Sequence, residues 1–196
     1  MKYYWGNPDI TLSFCEKKYN QSYWIAEYNN TISAIPYIVF GCFFLLTKIK
    51  HIGVSMIFLG FSTMIMHGTL RYYGQWVDEC SMLLISYSAI KTIKNVSNRG
   101  YYLLILYYFL IKDYFILFFL MFSSMQIYIV YLTTKKKISY LRNIFIKLYI
   151  FCFILGMICW FIDQFLCKHI GDIPFHAIWH LFSAFGMFYG FIGYLI

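Results

Sequence analysis

The stretch PFHAIWHLFSAFGMFYGFIGYLI, Pro174–Ile196, is apolar enough for a bilayer, yet it opens with two histidines four residues apart. A membrane-crossing helix needs about 20 mostly apolar residues, and this run supplies them. Six more candidate spans lie upstream: Thr31–Thr47, Ile52–Leu70, Trp76–Ile93, Tyr101–Ile111, Tyr114–Leu132 and Ile144–Leu166. The apolar runs are continuous and do not alternate, which selects helices over barrel strands. Tyr101–Ile111 is short and reaches the interface only if it runs past Lys112, whose side chain can snorkel. The expected fold is all-α: a polytopic membrane protein, a bundle of seven transmembrane helices, with residues 1–196 as one domain.

Composition points the same way. Of the 196 residues, 61% are hydrophobic and only 12% charged, about half the share in a soluble domain. In water such a chain would expose large apolar patches. The net charge of +8 does not mark a nucleic-acid binder, because the basic residues fall in short clusters between apolar runs. Met1–Tyr28 mixes polar and aromatic residues and does not read as a cleavable signal peptide. No linker, soluble domain or internal repeat is evident, and no cytosolic tail is expected after Ile196.

Seven spans put the termini on opposite sides. The N-terminal side then holds Lys2, Lys17, Lys18, Arg71, Lys112 and Lys168 with all eight acids. The other side holds Lys48, Lys50, Lys91, Lys94, Arg99, Lys135, Lys136, Lys137, Arg142 and Lys147 with none. The positive-inside rule counts Lys and Arg; ten against six predicts a cytosolic C-terminus and a luminal N-terminal segment, residues 1–30. Six spans would scramble this sorting.

Ionisable residues within membrane spans are functional candidates by default. With seven spans, His67, Asp78, His176 and His180 share one leaflet. His176 and His180 lie about 6 Å apart in rise on one helix face, a spacing that lets two imidazoles grip one ion. His67 as third ligand leaves a fourth zinc position for water, the arrangement of catalytic sites. Ala177 stands where a zincin helix has its Glu base, so the base must come from elsewhere. Asp78 is the candidate, and Glu79 points about 100° away round the helix. Thr63, one turn before His67, could donate to an oxyanion; Ser62 is the competing hydroxyl. Each feature has an ordinary reading taken singly: a core histidine, a Thr bonded to its own backbone, an Asp capping the start of its helix. Their convergence on one leaflet favours a metal site. His51 and His169 read as solvated, and Cys42, Cys80, Cys152 and Cys159 as packing.

These residues resemble the alkaline ceramidases, within the wider superfamily that includes adiponectin receptors. The resemblance rests on Tyr4-Trp5-Gly6, Thr11-Leu12-Ser13-Phe14-Cys15-Glu16, Ile25-Ala26-Glu27 and Asn30-Thr31-Ile32-Ser33. It extends to His67-Gly68-Thr69-Leu70-Arg71-Tyr72, Asp78-Glu79-Cys80-Ser81-Met82, Trp160 through Asp163 to Cys167, and Phe175–His180. About Lys91 to Ile150 matches only in hydropathy. The N-terminal motif favours ceramidases over the receptor branch. The resemblance implies a zinc held by His67, His176 and His180, with Asp78 orienting or deprotonating the zinc water and Thr63 standing where the family typically has Ser. It implies hydrolysis of the ceramide amide to a sphingoid base and a fatty acid, with ceramide as the lipid partner and no nucleic acid or protein partner.

The family's N-terminal segment resembles a calcium site, with ligand positions at Ser13, Phe14 (backbone carbonyl), Glu16, Lys18 and Glu27. Here Ser13 replaces an acid and Lys18 an Asn. Calcium wants several oxygen ligands and negative charge, whereas Lys18 brings a cation. One expectation is that its ammonium replaces calcium and pairs with Glu16 and Glu27; the other is an exposed Lys18 beside a degraded calcium site. Cys15 and Cys167 match the family's luminal disulfide, in an oxidising compartment. Endoplasmic reticulum or Golgi fits this sidedness. Sequons at Asn20 and Asn29 also face the lumen, although Asn29 is too close to the first span for ready glycosylation. The competing functions are a zinc-containing receptor or lipid sensor with slow or no turnover, and a structural membrane protein without metal.

Overall fold

A computed structural model describes residues 3–135 and 139–196; Lys2, Lys136 and Lys137, three of the lysines sorted by side, lie outside the described residues. The elements are helical throughout, with no strand among the described residues. In chain order they are α1 (Tyr28–Ile32), α2 (Ile35–Leu45), α3 (Lys50–Thr69), α4 (Tyr72–Lys94), α5 (Arg99–Ile111), α6 (Phe115–Thr134), α7 (Tyr140–Phe165), α8 (Cys167–Ile170) and α9 (Phe175–Leu195). Helices α3, α6, α7 and α9 are long and apolar enough to cross a membrane. Leu103, Leu110, Ile116, Ile127, Phe151 and Phe165 stand exposed on the outside, as lipid-facing side chains do. α2 and α5 are shorter, 11 and 13 residues, and α4 buries Asp78 and Glu79 and carries Lys91 and Lys94 in its last turn.

The first expected span is not one helix. It breaks between Ile32 and Ile35, and Pro36 falls in the first turn of α2. Proline has no N–H to give a preceding turn, so it begins helices more readily than it continues them. The break has a use, since Asn30 and Ser33 beside it reach the histidines described below. α5 ends at Ile111 and does not run past Lys112, whose ammonium instead lies 3.0 Å from the Asp113 carboxylate. Two expected roles also change. His51 is not simply solvated: its Nε2 is 2.8 Å from Thr92 Oγ1, tying α3 to α4. Cys42 is exposed on α2 and is no part of the core.

Around the interior, α9 packs along α7 and also meets α1 and α2. α3 is flanked by α2 and α4, and α4 is covered by α5 and α6. One apolar cluster centres on Phe44, Ile52 and Met56, a second on Leu83, Tyr108 and Phe118. Residues 3–27 form no helix and lie across the α3–α4 end. Arg71 holds them there: its Nη2 is 2.8 Å from Asp9 Oδ2 and its Nη1 donates to Asn7 O at 2.9 Å. Asp9 Oδ1 also accepts from Tyr72 N at 2.5 Å, capping α4. Further along, Ala26 N donates to Gly68 O and Glu27 N to His67 O. The disulfide Cys15–Cys167 fastens the same segment to α8.

α2 and α3 touch through glycine. A Cβ on Gly53 would sit 2.6 Å from Gly41 O and 2.7 Å from Leu45 N, both backbone atoms that cannot step aside. Small residues permit this approach in membranes, where packing must replace the missing hydrophobic drive between helices. Gly53→Leu should therefore separate α2 from α3 and cost about 1–3 kcal/mol or more, the usual range for overpacking; a thermal melt in detergent would register it as a lower transition.

Candidate metal centre

Three histidines from two distant helices meet at the end covered by the N-terminal segment. His67 lies in the last turn of α3, and His176 and His180 in the first two turns of α9. Ring centroids are 5.0 Å apart for His67–His176 and His67–His180, and 4.6 Å for His176–His180. One nitrogen from each ring falls within 4.8 Å of the others, and all three residues are buried. Phe14 lies against two of the rings, 4.9 Å from His67 and 4.2 Å from His176.

The arrangement of ring nitrogens fits a metal ion. His67 Nδ1 is 2.7 Å from Glu27 Oε2, so it carries the proton and donates, leaving the Nε2 lone pair free. His180 Nδ1 is 2.8 Å from Ser33 Oγ and 3.1 Å from Asn30 O, a carbonyl that only accepts. The same logic puts the proton on His180 Nδ1. Against this, His67 Nε2 and His176 Nδ1 are buried with no hydrogen-bond partner among the described residues. A buried polar atom left unpaired costs about 1–3 kcal/mol, and a divalent ion accepting these lone pairs would remove that cost. Metal-bound histidines typically give their other N–H to a carboxylate or carbonyl, the pattern of His67 and His180. A second group, Cys15, Asp163 and Cys167, also lies close together, but both of its sulfurs are consumed in the disulfide.

Asp78 is buried in the second turn of α4 and does not cap that helix, which Asp9 does. Its Oδ1 accepts from Thr63 Oγ1 at 2.5 Å and from Ser62 Oγ at 3.1 Å. Its Oδ2 takes no hydrogen bond among the described residues. Of the two hydroxyls, Thr63 lines the interior cavity together with Asp78, His176 and His180, and Ser62 does not. The Thr63 proton is thus committed to Asp78, and Thr63 would have to release it before donating to an oxyanion. Glu79 is held by Gln75 Nε2 at 2.7 Å and Tyr108 OH at 2.9 Å.

The N-terminal cluster differs in detail from expectation. Lys18 Nζ donates to Phe14 O at 2.7 Å and Glu16 O at 3.1 Å, and pairs with Glu27 Oε1 at 2.6 Å. Its side chain is 25% exposed, so it is not free in solvent. Glu16 does not pair through its carboxylate. That group accepts from Asn29 N at 2.6 Å, Asn29 Nδ2 at 3.1 Å and Asn30 N at 2.8 Å, satisfying the open N–H groups of α1. Ser13 contributes only its carbonyl, to Gln164. Burial alone would raise the Glu27 pKa, but the His67 hydrogen bond and the Lys18 ammonium outweigh it and hold Glu27 below the usual carboxylate range.

Three contributors escaped the sequence reading of the site. Asn30 and Ser33 hold His180, and only their place beside a helix break gives them that reach. Asp163 is fully buried in α7, and one oxygen accepts from His176 N at 3.3 Å while the other accepts from Cys15 N at 3.3 Å. As an acid within an apolar span it carried the same signal as Asp78.

The ceramidase family profile matches residues 6–196. The chain is similar to an alkaline ceramidase of Arabidopsis thaliana, 27% identical over 94% of this chain and 82% of the relative. It is also similar to alkaline ceramidase 3 of Mus musculus, 25% identical over 95% and 83%, and to alkaline ceramidase 1 of Mus musculus, 27% identical over 92% and 77%.

Glu27→Gln keeps the shape but loses the charge that orients His67. It should weaken binding of a divalent transition metal by about 10–100-fold, the usual effect of removing such a partner. Competition with a chromophoric chelator would measure this, with His180→Ala as the reference for loss of a direct ligand.

Proposed function

The chain belongs to the ceramidase family, and from that premise we propose that it is a zinc-dependent intramembrane amidase that hydrolyses ceramide, or a related sphingolipid, to a sphingoid base and a free fatty acid. The observation that carries the proposal is the pair of unpartnered imidazole nitrogens, His67 Nε2 and His176 Nδ1, in a histidine cluster whose His176 and His180 line an apolar cavity together with Asp78. A nitrogen-only donor set of three suits zinc with one position left over. We take His67, His176 and His180 as the ligands.

Zinc bound there would lower the pKa of a water toward 7 and polarise the amide carbonyl. The protein's own part is positional. Leu59, Met82, Phe122 and Phe153 line the cavity and give the hydrocarbon chains a dry bed that brings the amide to the histidine end. Asp78 presents Oδ2, the oxygen free of hydrogen bonds, to the reacting groups. It takes a proton from the attacking water and delivers it to the amide nitrogen as the C–N bond breaks, so that carbonyl carbon gains OH and nitrogen gains H. Thr63 and Ser62 fix the Asp78 carboxylate by occupying Oδ1. Glu27 keeps His67 in the tautomer whose Nε2 can ligate.

The same reading takes all of residues 1–196 as one domain and counts seven membrane passes, α2, α3, α4, α5, α6, α7 and α9. The N-terminal segment and histidine end face the lumen of the endoplasmic reticulum or Golgi, and the far end faces the cytosol. Lys18 serves as the built-in cation of the N-terminal cluster, in the place where the family resemblance implies calcium. The ammonium already meets two carbonyls and one carboxylate.

Asp78→Asn should lower kcat for fatty acid release by about 10²–10⁴-fold, the range for loss of a general base, with zinc content unchanged. Mass-spectrometric assay of ceramide turnover by purified protein, alongside metal analysis, tests this. Zinc retained with no fatty acid released by the wild type would assign the chain to the receptor reading instead. Adding calcium to the wild type should leave the rate unchanged; a calcium-dependent rate would show that Lys18 does not fill the cation position.

A further inference from the structure

The interior cavity continues well past the histidines. α4 lines it from Asp78 to Ile93 and α9 from His176 to Tyr194, roughly 22–27 Å of helix at 1.5 Å per residue. Its walls are mostly apolar, but its far end is not: Thr92, Thr133, Arg142 and Tyr194 converge there. The Arg142 guanidinium lies 5.8 Å from the centre of the Tyr194 ring. Its Nε is buried without a hydrogen-bond partner, and no carboxylate pairs with it among the described residues. A second pocket, sharing Thr92 and Tyr194 with the first, adds Lys48, His51 and Lys91. The acids of the chain all fall toward the other end by the charge sorting above.

An excess of lysines on one membrane face is ordinary. A half-buried arginine whose Nε is withdrawn from solvent at the end of an apolar cavity, with no acid to meet it, is not, because a buried donor is costly unless it is paired. Membrane proteins use basic pockets between helices to hold anionic head groups. We propose that this end of the cavity binds the carboxylate of a long-chain fatty acid, with the chain running inward toward the histidines. The planar guanidinium fork matches a carboxylate in two-point contact, and the apolar walls match a single hydrocarbon chain. The site stands on this geometry and does not require the hydrolysis proposed above, although that reaction would release a ligand of this class. A chain so placed occupies the space a substrate chain needs, so the two exclude one another.

Orientation is measurable because Trp160 and Trp179 line the histidine end of the cavity. Stearate carrying a nitroxide at carbon 16 should quench tryptophan fluorescence of the purified full chain more than stearate labelled at carbon 5. Arg142→Gln should weaken binding of either by about tenfold or more, the loss expected for a hydrogen bond to a charged group. Stearyl alcohol should compete poorly. Stronger quenching from carbon 5, or unchanged affinity in Arg142→Gln, would overturn the proposal, as would tighter binding of lysophosphatidate than of stearate. Should Arg142→Gln fail to fold, the wild type decides alone, by the order of quenching and the preference for acid over alcohol. No readout uses turnover, so an inactive preparation tests the site equally well.

Discussion

The hydrogen bond between Glu27 and His67, 2.7 Å long and fully buried, is the contact on which the candidate site depends. It joins an irregular segment to the end of a membrane-length helix, and it decides which imidazole nitrogen keeps its lone pair. Glu27 can stay ionised at 0% exposure because Lys18 stands on its other oxygen. A cation, a carboxylate and an imidazole are thus arranged in series, each satisfying its neighbour. In an apolar surrounding that offers no water, such groups must find their partners within the chain. Further contacts of the N-terminal segment, among them those to Arg71, Gly68, Gln75 and Cys167, hold this series in place.

Much of this was legible in the sequence. Apolar run length found the helices, and the i, i+4 spacing of His176 and His180 put both on one helix face. The count of seven spans placed His67 and Asp78 in the same leaflet as that pair, and the three histidines do meet. What hydropathy could not show was partnership. It merged α1 and α2 into one span, because Pro36 lacks an N–H and the bonds of Ala34 and Tyr37 tighten to three residues without interrupting apolarity. It left His51 solvated, because the hydroxyl it meets, on Thr92, belongs to another helix. Nor could the residue types settle Lys18: one of its two expectations gave it both acids of the N-terminal cluster, whereas Glu16 is drawn off by the open N–H groups of α1. Backbone demand of this kind has no signature in residue type alone.

The polar groups of the interior also divide the labour between its two ends. The ion pairs and the three clustered imidazoles gather where the N-terminal segment covers the bundle, and among the described residues the cations at the opposite end pair with no carboxylate. Between them polar links line the cavity: Gln126 Nε2 donates to Ser86 Oγ and Tyr149 OH to Gln126 Oε1, and Tyr37 OH meets Ser183 Oγ. The first braces α4, α6 and α7, and the second ties α2 to α9.

The helix break beside Ser33 also bears on the order in which the chain is made. Asn30 and Ser33 emerge from the ribosome early, and the imidazole they hold, on His180, emerges some 150 residues later. Until α9 is in place, Asn30 O and Ser33 Oγ lack the imidazole they hold, whereas Glu27 already has Lys18 and His67. A nascent chain halted before α9 would therefore lack two of the three clustered imidazoles and leave Ser33 and Asn30 without the ring they hold.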